Sequence, residues 1–549
     1  MSLSSLHGGG FSAVTIDPCV GVERLSRQEV SFNVYGAEGV LNTPQLVGNV
    51  TELDAPSTTL TIVNGARVAE LVTGEGLKFY CRIAPSVKGG DQPESADLEQ
   101  LAELLKTSGS GRSAAAPDTD IPAAYTYLGQ FIAHELSDLR VLDPTGMVTI
   151  RSAALDLDSL LGAVPDTPLS AQAQIWKGGV GIGQARSFGP DVHYEDLPRR
   201  ADGKALIADA RNDSNLALAQ LHLALSKFHQ RIAQDEGRRS DDGAQRITRR
   251  HVQSVVLHDY LRRVIEPGVY DDILLHGRRV IHPGGLPTDT PFLLPIEFAA
   301  ACFRVGHSMV REKYEAWEYG VRPIRLKTLL HMTGQGGGFF GLRHLSEEWR
   351  INWASMLEQP NPPSVRNMAA GIDATLAPGL HRLPDRLFPP STPKGDGTGL
   401  TSVARATLLR QRGFELGSGQ QTAHVVNGAI GPGPQVPVLT PPEIAAAFSD
   451  SGAPDTPLAE FLCQSGLHAN TPLWLYCLAE ARTLCGGRCF GPLTSRIVME
   501  TIHAAIEAAP DGIVAGDGRT ITFTAKESLS GRNEFHLQEL IAHAARWQS

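Results

Sequence analysis

The sequence predicts a mainly α-helical protein with short β elements near its N-terminus. Apolar residues in Tyr125–Arg140 follow the period of an amphipathic helix. Asn215–Ile232 reads as a second, longer helix, and a polar, Asx-rich stretch precedes it, as is typical of a helix start. β-rich segments flank Asn64-Gly65, a dipeptide that favours a hairpin turn. We therefore expect a β-containing N-terminal extension over residues 1–75 and a helical domain over residues 76–549.

Composition limits the classes of partner. The chain has 549 residues and is 42% hydrophobic, enough to bury one large core or two or three smaller ones. Its net charge is 49 − 59 = −10, and this acidic balance does not indicate a nucleic-acid-binding surface. No apolar window of about 18 residues occurs, so we expect no transmembrane segment.

The seven cysteines and the N-terminus bear on the cell compartment. An odd number of cysteines at low density favours reduced thiols. The first residues lack the basic region and the long apolar stretch of a standard secretory signal. We expect a cytoplasmic protein or one released without a standard signal peptide. Cys485 and Cys489 have C-x3-C spacing, but no second pair completes a zinc site.

Gln130 and His134 are four residues apart in the first predicted helix and therefore share one face. A glutamine and a histidine on the inward face of an apolar helix need hydrogen-bond partners or a function. Taken alone, such a histidine is more often a satisfied core residue than a catalytic one.

The stretch Leu128–Glu135, LGQFIAHE, resembles the distal-helix motif of the animal-type haem peroxidases, the superfamily of myeloperoxidase-like enzymes and cyclooxygenases. Gly129, Gln130 and His134 match that motif, and Glu135 stands where the family usually has aspartate. The resemblance implies a large helical haem-peroxidase domain. It also implies that His134 is the distal acid–base residue and that Gln130 lines the same cavity.

A second match surrounds Arg211, which alone would be read as a solvated arginine. The family has R-x-x-E-N followed by an apolar helix with a Leu-His pair and F-x-x-H. The residues at those places are Arg211, Asn215, His222, Phe228 and His229. The resemblance implies that Arg211 is the distal catalytic arginine, whereas the two histidines are expected to be structural.

A third match is Pro295–Tyr314, PIEFAAACFRVGHSMVREKY, which resembles the proximal-helix motif. The resemblance implies that His307 is the axial ligand of the haem iron. Gly306 would weaken a helix by about 1 kcal/mol relative to alanine. Its presence is understandable if a flat ligand must approach the backbone.

Further family-like stretches follow in the same order, so the resemblance covers roughly residues 76–500. Arg304 and Arg410 stand where family arginines lie near the haem propionates, and a charge-assisted bond suits that contact. Thr407 stands where the family has the asparagine that hydrogen bonds to the proximal histidine. Its hydroxyl could accept that bond.

The resemblance also implies a calcium site. The residue after the distal histidine joins a nearby loop in the family, and here both supply the hard oxygen ligands that calcium requires. Without the resemblance, the aspartates of this loop would be read as turn or cap residues. The implied ligands are Glu135, Ser152, the carbonyl of Ala154, Asp156 and Asp158.

Mammalian members bind haem through esters to two carboxylates, and Ala133 and Ser214 stand at those positions here. We therefore expect a non-covalent haem b. The expected activity is that of a peroxidase, which reduces hydrogen peroxide or organic hydroperoxides and oxidises a small organic or halide substrate. The alternatives are a fatty-acid dioxygenase and a non-catalytic haem-binding protein. Dioxygenase relatives place a tyrosine three residues before the proximal histidine, where this chain has Arg304.

Overall fold

The computed structural model describes most of the chain from residue 78 onward, with short strands nearer the N-terminus. The described residues are 2–3, 14–17, 21–22, 61–63, 66–67, 78–111, 119–138, 140–143, 146–149, 151–162, 196–199, 203–235, 241–287, 292–317, 323–334, 345, 349–357, 366–384, 400–449 and 455–545.

Helices predominate in the described chain, which confirms the predicted fold class. The α-helices are α1 (Ser95–Gly111), α2 (Ala124–Leu136), α3 (Asp158–Leu161), α4 (Leu216–Asp235), α5 (Asp241–Ser254), α6 (Leu261–Val264), α7 (Pro267–His276), α8 (Ile296–Ala300), α9 (Leu326–His331), α10 (Trp353–Met356), α11 (Val403–Gly413), α12 (Gly419–Ile430), α13 (Pro441–Ala447), α14 (Pro457–Gln464), α15 (Leu473–Cys485), α16 (Pro492–Ala508) and α17 (Leu537–Ala544). A π-helix, Val255–Tyr260, joins α5 to α6.

The strands are short and most pair as hairpins. They are β1 (Ser2–Leu3), β2 (Val14–Asp17), β3 (Gly21–Val22), β4 (Thr61–Val63), β5 (Ala66–Arg67), β6 (Lys78–Cys81), β7 (Arg140–Asp143), β8 (Gly146–Thr149), β9 (Leu294–Pro295), β10 (Lys313–Tyr314), β11 (Ile324–Arg325), β12 (Leu383–Pro384) and β13 (Leu400–Thr401). β4 and β5 pair antiparallel on either side of Asn64-Gly65, as that dipeptide predicted. The division of the chain at residue 75 stays a prediction.

The two predicted helices differ in how well their ends were placed. α4 covers nearly all of the predicted Asn215–Ile232 helix. α2 ends at Leu136, so the prediction of a helix as far as Arg140 is wrong. The reason is that Arg140 begins β7, which pairs antiparallel with β8. The chain must therefore leave the helix to enter the sheet.

The core is built around α15 and α16, whose side chains are nearly all buried, and α2 and α4 pack beside it. Gly129 allows the close approach of Tyr260 to α2, because a Cβ at residue 129 would lie 2.5 Å from the Tyr260 hydroxyl. No helix in the described part of the chain is long and apolar enough to cross a membrane.

Candidate active site

His134 lies half-buried in the last turn of α2, with its Nδ1 2.9 Å from Oδ1 of Asn212. An amide oxygen only accepts hydrogen bonds, so Nδ1 carries the proton and Nε2 keeps its lone pair. Asn212 is fully buried, and its amide nitrogen donates to Nδ1 of His222 at 3.2 Å and to Oγ of Ser159 at 3.4 Å. Because these bonds fix the Asn212 amide, Asn212 sets both the ring orientation and the tautomer of His134.

The surroundings of His134 also keep it neutral. Burial, followed by the positive charge of Arg211, lowers the pKa of His134 to about 4. Asp209 and the hydrogen bond that His134 donates to Asn212 oppose this shift. The imidazole is therefore an uncharged base at neutral pH.

Arg211 lies at the C-terminal end of α2. Its Nη2 donates to the backbone carbonyl of His134 and its Nη1 to that of Ser137, each at 2.7 Å. Its Nε and Nη2 also bind Asp209, at 3.0 and 2.6 Å. A cation at this position complements the helix dipole, so Arg211 fixes the end of the helix that carries His134. Its Nη1 also lies 3.8 Å from Oδ1 of Asp138.

Gln130 lies one turn before His134 and is also half-buried. Its Oε1 accepts from Nδ2 of Asn215 at 2.9 Å, and its Nε2 donates to Oγ of Ser214 at 3.4 Å. The structure thus brings Gln130, His134 and Arg211 together, and the start of α4 holds the glutamine.

His307 lies on the segment Cys302–Met309, which is a 3-10 helix rather than an α-helix. Its Nδ1 is 2.7 Å from the carbonyl oxygen of Arg304, so Nδ1 carries the proton and Nε2 keeps its lone pair. Burial, followed by Arg304, lowers the pKa of His307 to about 3, and His134 contributes a smaller part. Two neutral imidazoles from separate elements therefore lie within electrostatic range of each other.

Arg304 and Arg410 lie beside His307, and neither has a carboxylate partner among the residues that the structure describes. Burial, followed by the charge of Arg410, lowers the pKa of Arg304 well below its usual value. Burial lowers the pKa of Arg410 to about 10. Neighbouring half-buried cations without a counter-ion are unfavourable, so this pair suits an anionic ligand.

Thr407 has a different partner from the one expected. Its Oγ1 accepts a hydrogen bond from Nε of Arg304 at 3.0 Å. The expected bond between Thr407 and His307 is wrong, because the proximal imidazole uses the backbone carbonyl three residues earlier. Thr407 therefore orients Arg304 instead.

These features fit a haem. Nε2 of His307 has a lone pair for iron, and the two unneutralised arginines suit the propionates. A Cβ built on Gly306 would meet no atom within 4 Å, so there is open space beside the backbone next to His307. A flat ligand could occupy that space.

The residues implied for calcium also come together. One oxygen from each of Glu135, Asp156 and Asp158 lies within 4.8 Å of the others. Ser152 Oγ donates to Asp156 at 2.8 Å and lies 3.4 Å from the carbonyl of Ala154. These are hard oxygen donors, as calcium requires.

Glu135 is the buried member of this carboxylate cluster. Its Oε2 accepts from the backbone of Ser159 at 3.1 Å, whereas its Oε1 has no hydrogen-bond partner. Burial, followed by Asp158 and Asp156, raises the pKa of Glu135 well above its usual value. Arg151 provides some compensation, since its Nη1 lies 3.0 Å from Asp158. Excess negative charge and an unpartnered oxygen fit a bound cation.

The sequence reasoning missed Asn212 and Asp209. Asn212 holds His134, and Asp209 holds Arg211 and also pairs with Nη2 of Arg151 at 2.9 Å. The available signal was the polar run Asp209–Asn215, which is unusually rich in side chains that orient neighbours. Which of them would face α2 depends on the tertiary fold.

A protein-family model matches part of the chain. Residues 187–357, which contain Arg211 and His307, match the family model described as animal haem peroxidase. No curated protein sequence matches the chain.

Solved structures share the fold at low sequence identity. Peroxidase A from Dictyostelium discoideum has a TM-score of 0.55 and 13% identity, covering 85% of this chain and 92% of that one. Fatty acid alpha-dioxygenase from Oryza sativa has a TM-score of 0.54 and 14% identity, covering 86% and 82%. The Arabidopsis thaliana fatty acid alpha-dioxygenase has a TM-score of 0.52 and 12% identity, covering 86% and 76%.

The solved structures that share this fold thus include a peroxidase and fatty acid alpha-dioxygenases. The family-model match over residues 187–357 and the shared fold together support the resemblance of this chain to the animal-type haem peroxidases.

Proposed function

We propose that this protein is a haem-dependent peroxidase that reduces hydrogen peroxide or organic hydroperoxides and oxidises a small organic or halide substrate. The observation that carries the proposal is the 2.9 Å contact between Nδ1 of His134 and Oδ1 of Asn212. It leaves a neutral Nε2 base beside a site suited to haem. A protein that only bound haem would not need a base held in one tautomer.

His134 moves the proton in this proposal. Its Nε2 accepts the proton of the hydroperoxide and returns it to the departing oxygen, which leaves as water or an alcohol. While protonated, the ring is a cation, and its Nδ1–H bond to Asn212 becomes charge-assisted and stronger. Bound haem supplies the iron whose redox chemistry accompanies this proton transfer.

Arg211 and Gln130 position the substrate. The positive charge of Arg211 favours the negative charge that develops on the peroxide oxygens. Asp209 holds that guanidinium through bonds at 3.0 and 2.6 Å. Gln130, fixed by Asn215, can hold a water molecule or a halide on the same face of α2.

We propose that His307 ligates the iron through Nε2 and that Arg304 and Arg410 bind the propionates. The haem would be non-covalent haem b, because Ala133 and Ser214 have no carboxylate from which to form an ester. The neighbouring Asp213 is not free to substitute, since it pairs with Arg199 at 2.7 Å.

The carboxylate cluster of Glu135, Asp156 and Asp158 is proposed to bind calcium, with Ser152 and the carbonyl of Ala154 completing the ligands. Metal analysis of dialysed protein tests this and should give about one calcium per chain. A Glu135→Gln variant should lose the bound calcium. If calcium is absent from the wild type after incubation with excess ion, Arg151 is sufficient as the internal counter-charge.

A fatty-acid dioxygenase is the second candidate, because two of the structural relatives are fatty acid alpha-dioxygenases. The position three residues before His307 disfavours it. Arg304 occupies that position, and its Nε is bound to Thr407. An arginine cannot form the radical that the tyrosine of such enzymes forms.

Two assays on the haem-loaded protein separate these candidates. Peroxidase activity predicts peroxide-dependent oxidation of a phenolic dye, which the His134→Ala variant loses while it keeps its haem. Dioxygenase activity predicts oxygen uptake with linoleate. Oxygen uptake without dye oxidation would reverse the assignment, and neither activity in fully loaded protein would leave a non-catalytic haem-binding protein.

A further inference from the structure

Cys485 and Cys489 lie at a tight turn that follows the C-terminal end of α15. Cys485 is the last residue of α15, and Gly486 and Gly487 then adopt φ values of 59° and 75°. Such left-handed conformations favour glycine. The amide of Arg488 donates to the carbonyl of Cys485 at 3.1 Å, so the chain reverses and returns Cys489 to Cys485.

The surrounding backbone holds this turn. The carbonyl of Gly487 accepts from the amide of Ile372 at 2.8 Å, and the amide of Phe490 donates to the carbonyl of Val264, also at 2.8 Å. Both cysteines are half-buried free thiols, so small molecules in solvent can reach them. The dithiol turn, Cys485–Cys489, is therefore a fixed and accessible feature.

The two thiols differ in character. A hydrogen bond from Cys485, together with the charge of Arg488, lowers the pKa of Cys489, against burial and Glu266. The same hydrogen bond, followed by burial, raises the pKa of Cys485. Cys489 is thus favoured as the thiolate nucleophile, whereas the Cys485 thiol keeps its proton and donates to the carbonyl of Phe490 at 3.5 Å.

Metal binding does not explain the pair. Glu135, Asp156 and Asp158 form the one group of three or more suitable ligands found in the described chain, and it does not include these cysteines. The nearby Glu480 is already bound to the backbone amides of Leu493 and Thr494, at 2.7 and 3.2 Å. Two thiols without further ligands are better suited to forming a disulfide.

We propose that Cys485 and Cys489 are a redox-active dithiol that reduces hydroperoxides and closes to an intrachain disulfide. The Cys489 thiolate attacks one peroxide oxygen, the O–O bond breaks, and the departing oxygen takes a proton and leaves as water or an alcohol. Cys489 becomes a sulfenic acid, oxidised by two electrons. Cys485 then attacks the Cys489 sulfur, the S–O bond breaks, and hydroxide leaves as water with the Cys485 proton.

The test uses the full-length, haem-loaded protein after reduction and removal of the reductant. It is treated with hydrogen peroxide, alkylated with N-ethylmaleimide and mapped by peptide mass spectrometry. After peroxide treatment, Cys485 and Cys489 should no longer be alkylated, and the mass of the segment that contains them should be lower by two hydrogens. Reduction with dithiothreitol should restore the alkylation of both cysteines. Cys463, a half-buried cysteine on α14, is the matched internal control and should stay alkylated.

Variants test which cysteine attacks the peroxide and which one then forms the disulfide. In Cys485→Ser, dimedone should trap a sulfenic acid on Cys489, whereas Cys489→Ser should give no adduct on Cys485. Equal alkylation of Cys463 and both dithiol cysteines after peroxide treatment would overturn the proposal.

A His134→Ala variant separates this chemistry from the haem site. The disulfide should form in that variant to the wild-type extent, since the dithiol turn does not depend on the distal base. Loss of the disulfide there would show that the haem site is the oxidant and would refute direct attack by Cys489. Conversely, Cys489→Ser should retain the peroxide-dependent oxidation of a phenolic dye.

Discussion

Replacing Asn212 with alanine removes the acceptor that holds Nδ1–H of His134 at 2.9 Å. In the resting protein this bond joins two neutral groups, because the pKa of His134 is about 4. A neutral hydrogen bond contributes about 0.5–1.5 kcal/mol, and one to a charged group about 1.5–3 kcal/mol. The bond therefore gains roughly 1–2 kcal/mol as the imidazole takes the peroxide proton, so its loss should slow that step about 5- to 30-fold.

The rate is measured by stopped-flow absorbance of the Soret band after mixing with hydrogen peroxide. Ser159→Ala is the matched control, because Ser159 accepts a hydrogen bond from the same amide of Asn212 at 3.4 Å, whereas the His134 ring bonds to Asn212. It should react within about twofold of wild type. The reasoning is refuted if Asn212→Ala reacts at the wild-type rate, or if Ser159→Ala slows the reaction as much.

Three further predictions follow from the same geometry. Asn212→Asp should raise the pKa of His134, because a carboxylate stabilises the imidazolium. The rate of the peroxide reaction should then fall at a higher pH than the value of about 4 expected for the wild type. An unchanged pH dependence of that rate would contradict this prediction. Burial lowers the pKa of His222 to about 4, below its value of about 6.5 in the unfolded chain, so the unfolded state binds more protons between these values. The free energy of unfolding of the haem-free protein should therefore fall from about pH 6.5 to pH 4, and urea midpoints that do not change over this range would argue against it. Arg410→Ala should weaken haem binding without changing the axial ligand, as measured by haem titration. Arg412→Ala is the control and should not weaken it, because Arg412 on the same helix bonds to the carbonyl of Pro93 at 3.1 Å. Equal haem affinities of the two variants would remove the propionate assignment.

Short local motifs were sufficient to select His134, Arg211 and His307 as candidates, because each lies in a contiguous run that resembles a family motif. The partners of these residues were harder to predict. Asn212 is 78 residues from His134 in the chain, and Thr407 is 103 residues from Arg304. Such pairs depend on how the elements pack.

The end of α2 shows the same limit for the fold. Helical periodicity continues past Leu136, but pairing between β7 and β8 ends the helix there. Periodicity reports which residues face the core, and it does not report competition from a neighbouring strand. The N-terminal hairpin was predictable because its turn is local, with Val63 and Ala66 paired across it.

The central claim is that this chain binds haem through His307 at a site completed by its own arginines. Titration of the haem-free protein with hemin, followed in the Soret region, tests it most directly when wild type and His307→Ala are compared. We predict one haem per wild-type chain with the spectrum of a histidine-ligated b haem, and loss or strong weakening of binding in the variant. A His307→Ala protein that binds one haem with the wild-type spectrum would contradict the account.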